Sequence, residues 1–224
     1  LVADGLLNQS DAVEFKSNAT IVDYGAVRSH KTNMLQTAFA NFMSNSQLKA
    51  ELDAFVAKTS WAYNYAVFVT FKKANQHKAW NLWPSEYKSW IKDKKLDLSA
   101  YKEQIDYELF LQFIFSRQWL ELKAYANSKN IEIMGDIPIY LGFDSLDVWE
   151  NQDMFLLDAE QNPTFVAGVP PDYFSVTGQR WGNPIYNWEN LAKTNFKFWI
   201  DRLQGNMQAF DIIRIDHFRA FDTY

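Results

Sequence analysis

The chain has 224 residues, of which 48% are hydrophobic and 22% charged, so it can bury a sizeable core like an ordinary globular protein. Its net charge of −5 is unlike that of a nucleic-acid binder, so we expect no nucleic-acid partner. The absence of cysteine excludes disulfides and thiolate metal sites and favours a reducing, cytoplasmic location. No run of about 18 apolar residues occurs, so we predict no membrane-spanning helix.

The first half of the chain has mainly helical patterns. We predict a loop with one short helical turn in the first 30 residues. Further along, caps and apolar spacing predict helices over residues 46–58, 61–74 and 99–128, begun by Ser46, Ser60 and Ser99. The helix over 61–74 is apolar nearly all round, so we expect it to be buried. Asn130 is a plausible end signal for the last of the three.

The second half has the pattern of a βαβ unit. Residues 131–134 form a β-prone run that leads to Asp136, and residues 211–215 form another that leads to Asp216. Between them, residues 190–207 have the apolar spacing of one helix. This order predicts two parallel strands in an α/β fold.

A long loop, residues 136–188, follows the first of these strands. A loop of this length is usually functional or disordered, and this one is too aromatic for disorder. We expect it to be ordered at the carboxyl end of a parallel strand, where α/β enzymes place their sites. Its aromatic residues could form a core or stack on sugar rings, and composition does not choose between the two. They are Trp149, Phe155, Phe165, Tyr173, Phe174, Trp181, Tyr186 and Trp188.

Arg214 and Asp216 are two residues apart on the second strand and therefore share a face. One interpretation is a buried structural ion pair. The other is a functional site in a barrel interior or cleft, where the guanidinium keeps the carboxylate ionised, as a glycosidic nucleophile requires. His217 is either a structural histidine or a donor to a sugar hydroxyl.

Other chemistries fit the sequence less well. Glycine patterns for nucleotide binding and the Gly-x-Ser-x-Gly elbow of hydrolases are missing. Three histidines without cysteine make a zinc site improbable, and the acidic residues near Asp136 lack the spacing of a calcium loop. We therefore predict no metal and no cofactor.

Three segments together carry a specific resemblance. They are GDIPIY at residues 135–140, GVPPDYFSVTGQRWGNP at 168–184 and IRIDHFR at 213–219. The chain thereby closely resembles the 4-α-glucanotransferases (amylomaltases or disproportionating enzymes) of glycoside hydrolase family 77. RQWLELKAYA at residues 117–126 also looks familial.

The resemblance implies a fold and an activity. The fold would be a partial (β/α)8 TIM barrel, with residues 1–98 as a helical insertion and 99–224 as part of the catalytic barrel. The activity would be retaining transfer of α-1,4-glucan segments, from maltodextrin, starch or glycogen, to acceptors such as glucose or maltose. The resemblance predicts no membrane partner, and it leaves the oligomeric state of the protein open.

The family's motif also implies residue roles. Asp216 would be the nucleophile, Arg214 and His217 would contact that carboxylate and the sugar in the −1 subsite, and Asp136 would bind sugar. Residues of the aromatic loop would contact the acceptor glucan and shield the intermediate from water, which favours transfer over hydrolysis. These are Asp172, Tyr173, Phe174, Gln179, Trp181 and Asn183.

Two departures from the family are Ala220, where glycine is usual, and GFDS at residues 142–145, where the family has Ala-Glu-Asp-Ser. The chain looks like an internal fragment, since the first barrel strand would precede Leu1 and the acid/base and stabilising carboxylates would follow Tyr224. We therefore expect residues 1–224 alone to be inactive. Two alternatives stay open: a non-catalytic α-glucan-binding module and an α-amylase-like hydrolase.

Overall fold

The computed structural model describes residues 1–12 and 20–222. It divides into two compact units, one of Leu1–Val67 with Ala100–Phe115 and one of Phe68–Ser99 with Ser116–Tyr224. Two helices, α3 (Ala62–Ala74) and α5 (Lys102–Ser128), contribute residues to both.

The first unit is helical. It contains α1 (Tyr24–Phe42) and α2 (Ser46–Lys58). Phe42 lies at its centre, 1% exposed, with its ring centroid 4.9 Å from that of Phe110. Burial of such rings favours the packing of the helices in this unit.

Helix starts in this unit differ from the sequence prediction by one or a few residues. Asn45 caps α2 by accepting the Leu48 N–H at 3.0 Å, and Ser46 is the first helical residue. The prediction of a loop with one helical turn in the first 30 residues is wrong from Tyr24 onward, where α1 begins under an Asp23 cap. Residues 13–19 of that prediction lie outside the described part of the chain.

The longer predicted helices are confirmed. Ser99 begins a 3-10 turn that leads into α5, and α5 ends at Ser128, two residues before Asn130 with its left-handed φ of 60°. The predicted burial of the helix over 61–74 is confirmed for one side of the helix, where Ala62, Ala66, Val67 and Phe71 are fully buried, whereas Trp61 and Tyr63 are exposed.

The second unit is built on an aromatic core. Trp149, from the short helix α6 (Leu146–Glu150), is 0% exposed and stacks on Trp90 of α4 (Ser85–Asp93), with 6.2 Å between ring centroids. Its Nε1 donates to the Lys88 carbonyl at 3.2 Å, which satisfies the one polar group of a buried indole.

The predicted βαβ unit is confirmed in this second unit. Strands β1 (Met134–Pro138) and β4 (Ile212–Asp216) pair in parallel. The predicted first strand over 131–134 begins too early, because only Met134 of that run is in the ladder.

The single helix predicted over 190–207 is two helices, α7 (Trp188–Lys193) and α8 (Lys197–Ala209). They are separated by left-handed Asn195 and Phe196, whose φ angles are 52° and 56°. Left-handed residues end a helix whatever the apolar spacing around them.

The long loop contains α6 and an antiparallel hairpin of β2 (Val166–Val169) and β3 (Gln179–Pro184), which apolar spacing alone did not indicate. Gly168 allows the two strands to pair closely, since a Cβ there would lie 2.4 Å from the Gln179 carbonyl oxygen.

Candidate active site

The carboxyl ends of β1 and β4 form one edge of the parallel sheet. In the register of the ladder, Asp136 is opposite Arg214 and Pro138 is opposite Asp216. Ile137 is 1% exposed on one face. The other face is exposed and carries three charged side chains: Asp136, Arg214 and Asp216. The prediction that Arg214 and Asp216 share one face of β4 is therefore confirmed, and this charged face is exposed to solvent.

Arg214 bonds to Asp136 on the neighbouring strand. Its Nε donates to Asp136 Oδ1 at 3.1 Å, and its Nη2 donates to the other carboxylate oxygen. This bidentate hydrogen bond, together with the charge of Asp136, raises the pKa of Arg214, and the charge of Asp216 contributes further in the same direction. The guanidinium thus stays charged and oriented along the sheet edge.

This pairing corrects the interpretation of Arg214 and Asp216 as a buried pair. The Arg214 and Asp136 side chains are 63% and 51% exposed. The reason is geometric: residues two apart on a strand are separated by about 6.5 Å, whereas neighbouring strands lie about 4.8 Å apart. The nearer carboxylate to the guanidinium is therefore the one across the ladder, and the predicted contact of Arg214 with the nucleophile stays a prediction.

His217 follows β4 directly in a left-handed conformation, with φ of 54°. Its ring meets that of Trp181 edge-on, with 5.1 Å between centroids and an 86° interplanar angle. The buried Nε2 has no hydrogen-bond partner among the residues that the structure describes. A buried polar atom left unpaired costs about 1–3 kcal/mol, so this nitrogen is suited to a ligand hydroxyl or a water.

Trp181 brings the β2–β3 hairpin to the end of β4. The indole is 39% exposed, and its Nε1 donates to Gln179 Oε1 at 3.0 Å on the same strand. Asn183 holds the hairpin from its other end, since its Nδ2 donates to the Leu141 carbonyl at 2.9 Å. These hydrogen bonds hold the hairpin and the edge of the Trp181 ring in place, while part of the ring stays exposed.

The turn between β2 and β3 holds the remaining predicted contacts. Asp172 Oδ1 accepts the N–H groups of Phe174 and Ser175 at 2.9 and 2.8 Å, so this carboxylate shapes the turn. Tyr173 and Phe174 are 90% and 76% exposed, with 4.0 Å between their ring centroids. The turn is held by local hydrogen bonds, and it presents two adjacent aromatic rings to solvent.

The structure thus brings six predicted residues together at the strand ends, whereas the turn residues are held separately within their own loop. The six are Asp136, Arg214, Asp216, His217, Gln179 and Trp181. Asn183 anchors the hairpin from outside this group.

Sequence reasoning missed the support behind this site. Tyr186 is 1% exposed, and its hydroxyl donates to the Ile139 carbonyl at 2.6 Å; its burial raises its pKa. Arg202 of α8 donates to the same carbonyl at 3.3 Å. Tyr140 stacks on Tyr186, with 6.2 Å between centroids. Tyr140 belongs to the GDIPIY segment, which could have pointed to it. Arg202 had no such signal, because its sequence position looks like that of any polar residue on an amphipathic helix.

Among the described residues, no group of three histidines or carboxylates is arranged to hold a metal ion. None of the helices within residues 1–12 and 20–222 combines the length and apolar character needed to cross a bilayer.

The fold and the site define an α/β protein whose candidate active site lies at the carboxyl ends of adjacent parallel strands. A sequence profile of the 4-alpha-glucanotransferase family, glycoside hydrolase family 77, matches residues 1–224, and the chain belongs to this family.

Curated relatives carry the same family description. The 4-alpha-glucanotransferase of Synechocystis sp. is 44% identical over 209 residues, which are 91% of this chain and 41% of the relative. That of Clostridium butyricum is 43% identical over 231 residues, which are 98% of this chain and 46% of the relative. The chain therefore spans less than half the length of these relatives.

Solved structures agree with this assignment. The amylomaltase from Streptococcus agalactiae, determined in complex with acarbose, matches with a TM-score of 0.91 and 35% identity over 99% of this chain and 46% of its own. The amylomaltase from Corynebacterium glutamicum matches with a TM-score of 0.63 at 18% identity, over 87% of this chain and 25% of its own, and so shows likeness of fold alone.

Proposed function

We propose that the protein is a 4-α-glucanotransferase that moves α-1,4-glucan segments from a donor to an acceptor by retaining double displacement. The Asp216 carboxylate attacks the anomeric carbon while a carboxylic acid of the full-length protein protonates the departing glucan oxygen. An acceptor hydroxyl, giving its proton back to that carboxylate, later displaces Asp216 from the resulting ester. The observation that carries this proposal is the exposed carboxylate of Asp216 at the end of β4, beside an Asp136–Arg214 pair, in a chain of this family.

Asp216 suits the nucleophile better than its acidic neighbours do. Asp136 is engaged by two guanidinium nitrogens, and Asp172 by two backbone N–H groups. Among the described residues, no hydrogen bond or ion pair engages the Asp216 carboxylate, which leaves its lone pairs open for attack. The charges of Arg214 and Asp216 interact along the same face of β4.

The neighbouring polar groups suit the donor sugar. We propose that Asp136 and Arg214 hydrogen-bond to hydroxyls of the sugar in the −1 subsite. Both side chains are at least half exposed, and their ion pair already orients them. The unpaired Nε2 of His217 would bond to a further hydroxyl, which would satisfy that nitrogen. Ligand binding would then complete contacts that the protein alone leaves open.

The hairpin suits the acceptor. Exposed rings give stacking area to a glucose unit, and the amide groups nearby give specificity for its hydroxyls. We assign this role to Asp172, Tyr173, Phe174, Gln179, Trp181 and Asn183. The support within the structure is unequal: Trp181 contacts His217, whereas Tyr173 and Phe174 project from a turn of their own.

The architecture proposed for the whole protein follows the same logic. We propose that β1 and β4 are neighbouring strands of a (β/α)8 barrel, because a parallel pair with helices α7 and α8 between its strands is the repeating unit of that fold. In this scheme residues 1–98 form a helical insertion and residues 99–224 belong to the catalytic barrel. Substrates would be maltodextrins, starch or glycogen segments, with glucose or maltose as acceptors.

Disproportionation of maltotriose by the full-length protein tests the function. We expect release of glucose together with longer maltodextrins, and loss of both products in Asp216→Asn with maltodextrin affinity largely kept. Glucose and maltose without longer products would indicate an amylase-like hydrolase. Binding without any turnover in the unsubstituted protein would indicate a glucan-binding module.

Residues 1–224 alone are proposed to transfer no glucan. A retaining site needs a second carboxyl group, which acts as acid and base, about 5–5.5 Å from the nucleophile. Asp136 and Asp172 are held by other donors, so neither suits that role. Glucose release from maltotriose by residues 1–224, above that of their Asp216→Asn variant, would contradict this statement.

A further inference from the structure

Arg202 of α8 reaches the carboxyl end of β1 from behind the sheet. Its Nη2 donates to the Pro138 carbonyl and its Nη1 to the Ile139 carbonyl, the latter at 3.3 Å. Its guanidinium also lies over the Trp199 ring, 4.9 Å from the centroid. The two carbonyls and the Trp199 ring thus hold the planar guanidinium in one orientation, because its rigid fork of N–H donors and its flat face each have a partner.

The carbonyls that Arg202 binds lie where the ladder ends. Pro138 is opposite Asp216, the last residue of β4, so the β1–β4 ladder continues no further. The Ile139 carbonyl instead accepts from Tyr186 at 2.6 Å and from Arg202. Partial burial lowers the pKa of Arg202, while Tyr186 and Asp147 nearby oppose that shift. The half-buried guanidinium keeps its proton, and its charged hydrogen bonds are stronger than neutral ones.

The backbone held in this way leads directly to Tyr140. The Tyr140 ring lies between Tyr186, at 6.2 Å, and Trp181, at 6.3 Å. Trp181 in turn meets His217 at 5.1 Å. A continuous series of ring contacts therefore runs from the Arg202 and Tyr186 anchor to the histidine beside Asp216.

We propose that Arg202, with the Tyr186 hydroxyl, is a positioning residue for glucan transfer: it fixes the end of β1, so that Tyr140 supports Trp181 against His217. This inference rests on the proposed transferase function, because it explains how that site is held at its working geometry. A misplacement of about 1 Å can cost roughly 100-fold in rate, so support of this kind matters even without substrate contact.

Kinetics of full-length variants give the first test. We expect Arg202→Met to lower kcat/KM for maltotriose about 100-fold, mainly through kcat. Tyr186→Phe, which deletes one hydroxyl from an intact ring, should lower it about fivefold. Arg202→Lys should recover only part of the loss, since an ammonium cannot form the two-carbonyl fork. The matched control is Lys197→Met, which removes an exposed cation of the same helix that bonds only to Asp201 among the described residues.

A second readout does not depend on activity. The Hε1 proton resonance of His217, assigned by its disappearance in His217→Gln, reports the Trp181 ring because that ring meets the imidazole edge-on. Trp181→Leu defines the resonance position without the indole. We expect Arg202→Met and Tyr186→Phe to move the resonance toward that position, and Lys197→Met to leave it in place.

The two readouts separate the possible failures. If the unsubstituted protein transfers no glucan but the resonance moves as expected, the proposed function is wrong, and Arg202 and Tyr186 still support Trp181 against His217. If transfer occurs but the resonance and kcat of folded Arg202→Met and Tyr186→Phe match the unsubstituted protein, the positioning role is overturned. If Arg202→Met does not fold, Tyr186→Phe alone decides by the same two measurements.

Discussion

Two tryptophans of the long loop occupy opposite environments. Trp149 is 0% exposed and surrounded by other rings, whereas Trp181 is 39% exposed at the candidate active site. We expect Trp181→Ala to raise the KM for maltodextrins up to about tenfold, the value of one good stacking contact. Its melting temperature should change little, because part of this ring already faces solvent.

Trp149→Ala is the matched comparison. It removes a fully buried indole, which should cost about 3–5 kcal/mol of unfolding free energy. Calorimetry and steady-state kinetics on both variants of the full-length protein check the contrast. Equal losses of thermal stability in the two variants would make Trp181 a core residue and remove its stacking role.

The sequence could not sort these aromatic residues by itself. Helix and strand periodicity assigns faces in regular elements, but the loop has no sustained period, so burial there depends on which short element carries each ring. Trp149 lies in α6 and is buried, while Phe174 lies in the turn between β2 and β3 and is exposed. Likewise, strand phase predicted that Arg214 and Asp216 share a face but not that Arg214 would bind Asp136 across the ladder.

At the scale of elements, the β2–β3 hairpin depends on close backbone approach at Gly168. An added Cβ would lie 2.4 Å from the Gln179 carbonyl oxygen, which belongs to the partner strand and cannot move away without breaking the pairing. Gly168→Ala should therefore cost about 1–3 kcal/mol of local stability. It should also raise the KM for the acceptor sugar, because Trp181 lies on the displaced strand.

Limited proteolysis of the hairpin and acceptor kinetics measure these two effects. Gly142→Ala is the matched control, since a Cβ there meets nothing within 4 Å. Unchanged cleavage and unchanged acceptor KM in Gly168→Ala would contradict the view that this hairpin positions the acceptor.

The amino ends of β1 and β4 are joined by Asp211. Its carboxylate accepts the Ile133 N–H and the Asn127 amide, each at 2.9 Å, and pairs with Lys123 at 3.3 Å. These interactions, led by the Ile133 hydrogen bond, lower the pKa of Asp211 below the usual range of an aspartate. A carboxylate with a lowered pKa in the folded state stabilises the fold above its unfolded pKa and loses that contribution as pH falls through the folded one.

Asp211→Asn should therefore lower the melting temperature at pH 7. The difference in melting temperature between Asp211→Asn and the unsubstituted protein should begin to shrink below about pH 4 and should shrink further as the pH falls. Scanning calorimetry of the full-length protein from pH 7 to acid measures this. Asp201→Asn, which breaks an exposed pair with Lys197, is the control and should change little at any pH. A gap for Asp211→Asn that is independent of pH would contradict the role of its ionised form.

The elements were predictable to different extents. Strand β4 and helices α2 and α5 have strong spacing and clear ends, so the sequence predicted them within a few residues. The parallel pairing followed from their order. The break between α7 and α8 was missed because Asn195 and Phe196 show no helix-stopping glycine or proline, and the hairpin was missed because its strands are short and interrupted by Gly168 and Gly182.

At the scale of the whole molecule, the candidate site combines residues from distant parts of the chain. Asp136 and Arg214 are 78 positions apart in sequence yet share a bidentate hydrogen bond. The βαβ order alone predicted that both strand ends meet at one edge. The role of each residue in glucan transfer came instead from family resemblance, because strand phase identifies an oriented carboxylate but not the chemistry that it performs.

The central claim is that Asp216 forms a covalent ester with the donor glucan. The most direct test is rapid acid quenching of the full-length protein during turnover of a maltodextrin, followed by peptic digestion and mass spectrometry. We predict that the peptide containing Asp216 gains the mass of a glucosyl chain, and that fragmentation places the addition on that residue. A glucosyl addition on any other carboxylate, or turnover by Asp216→Asn at the rate of the unsubstituted protein, would contradict the account.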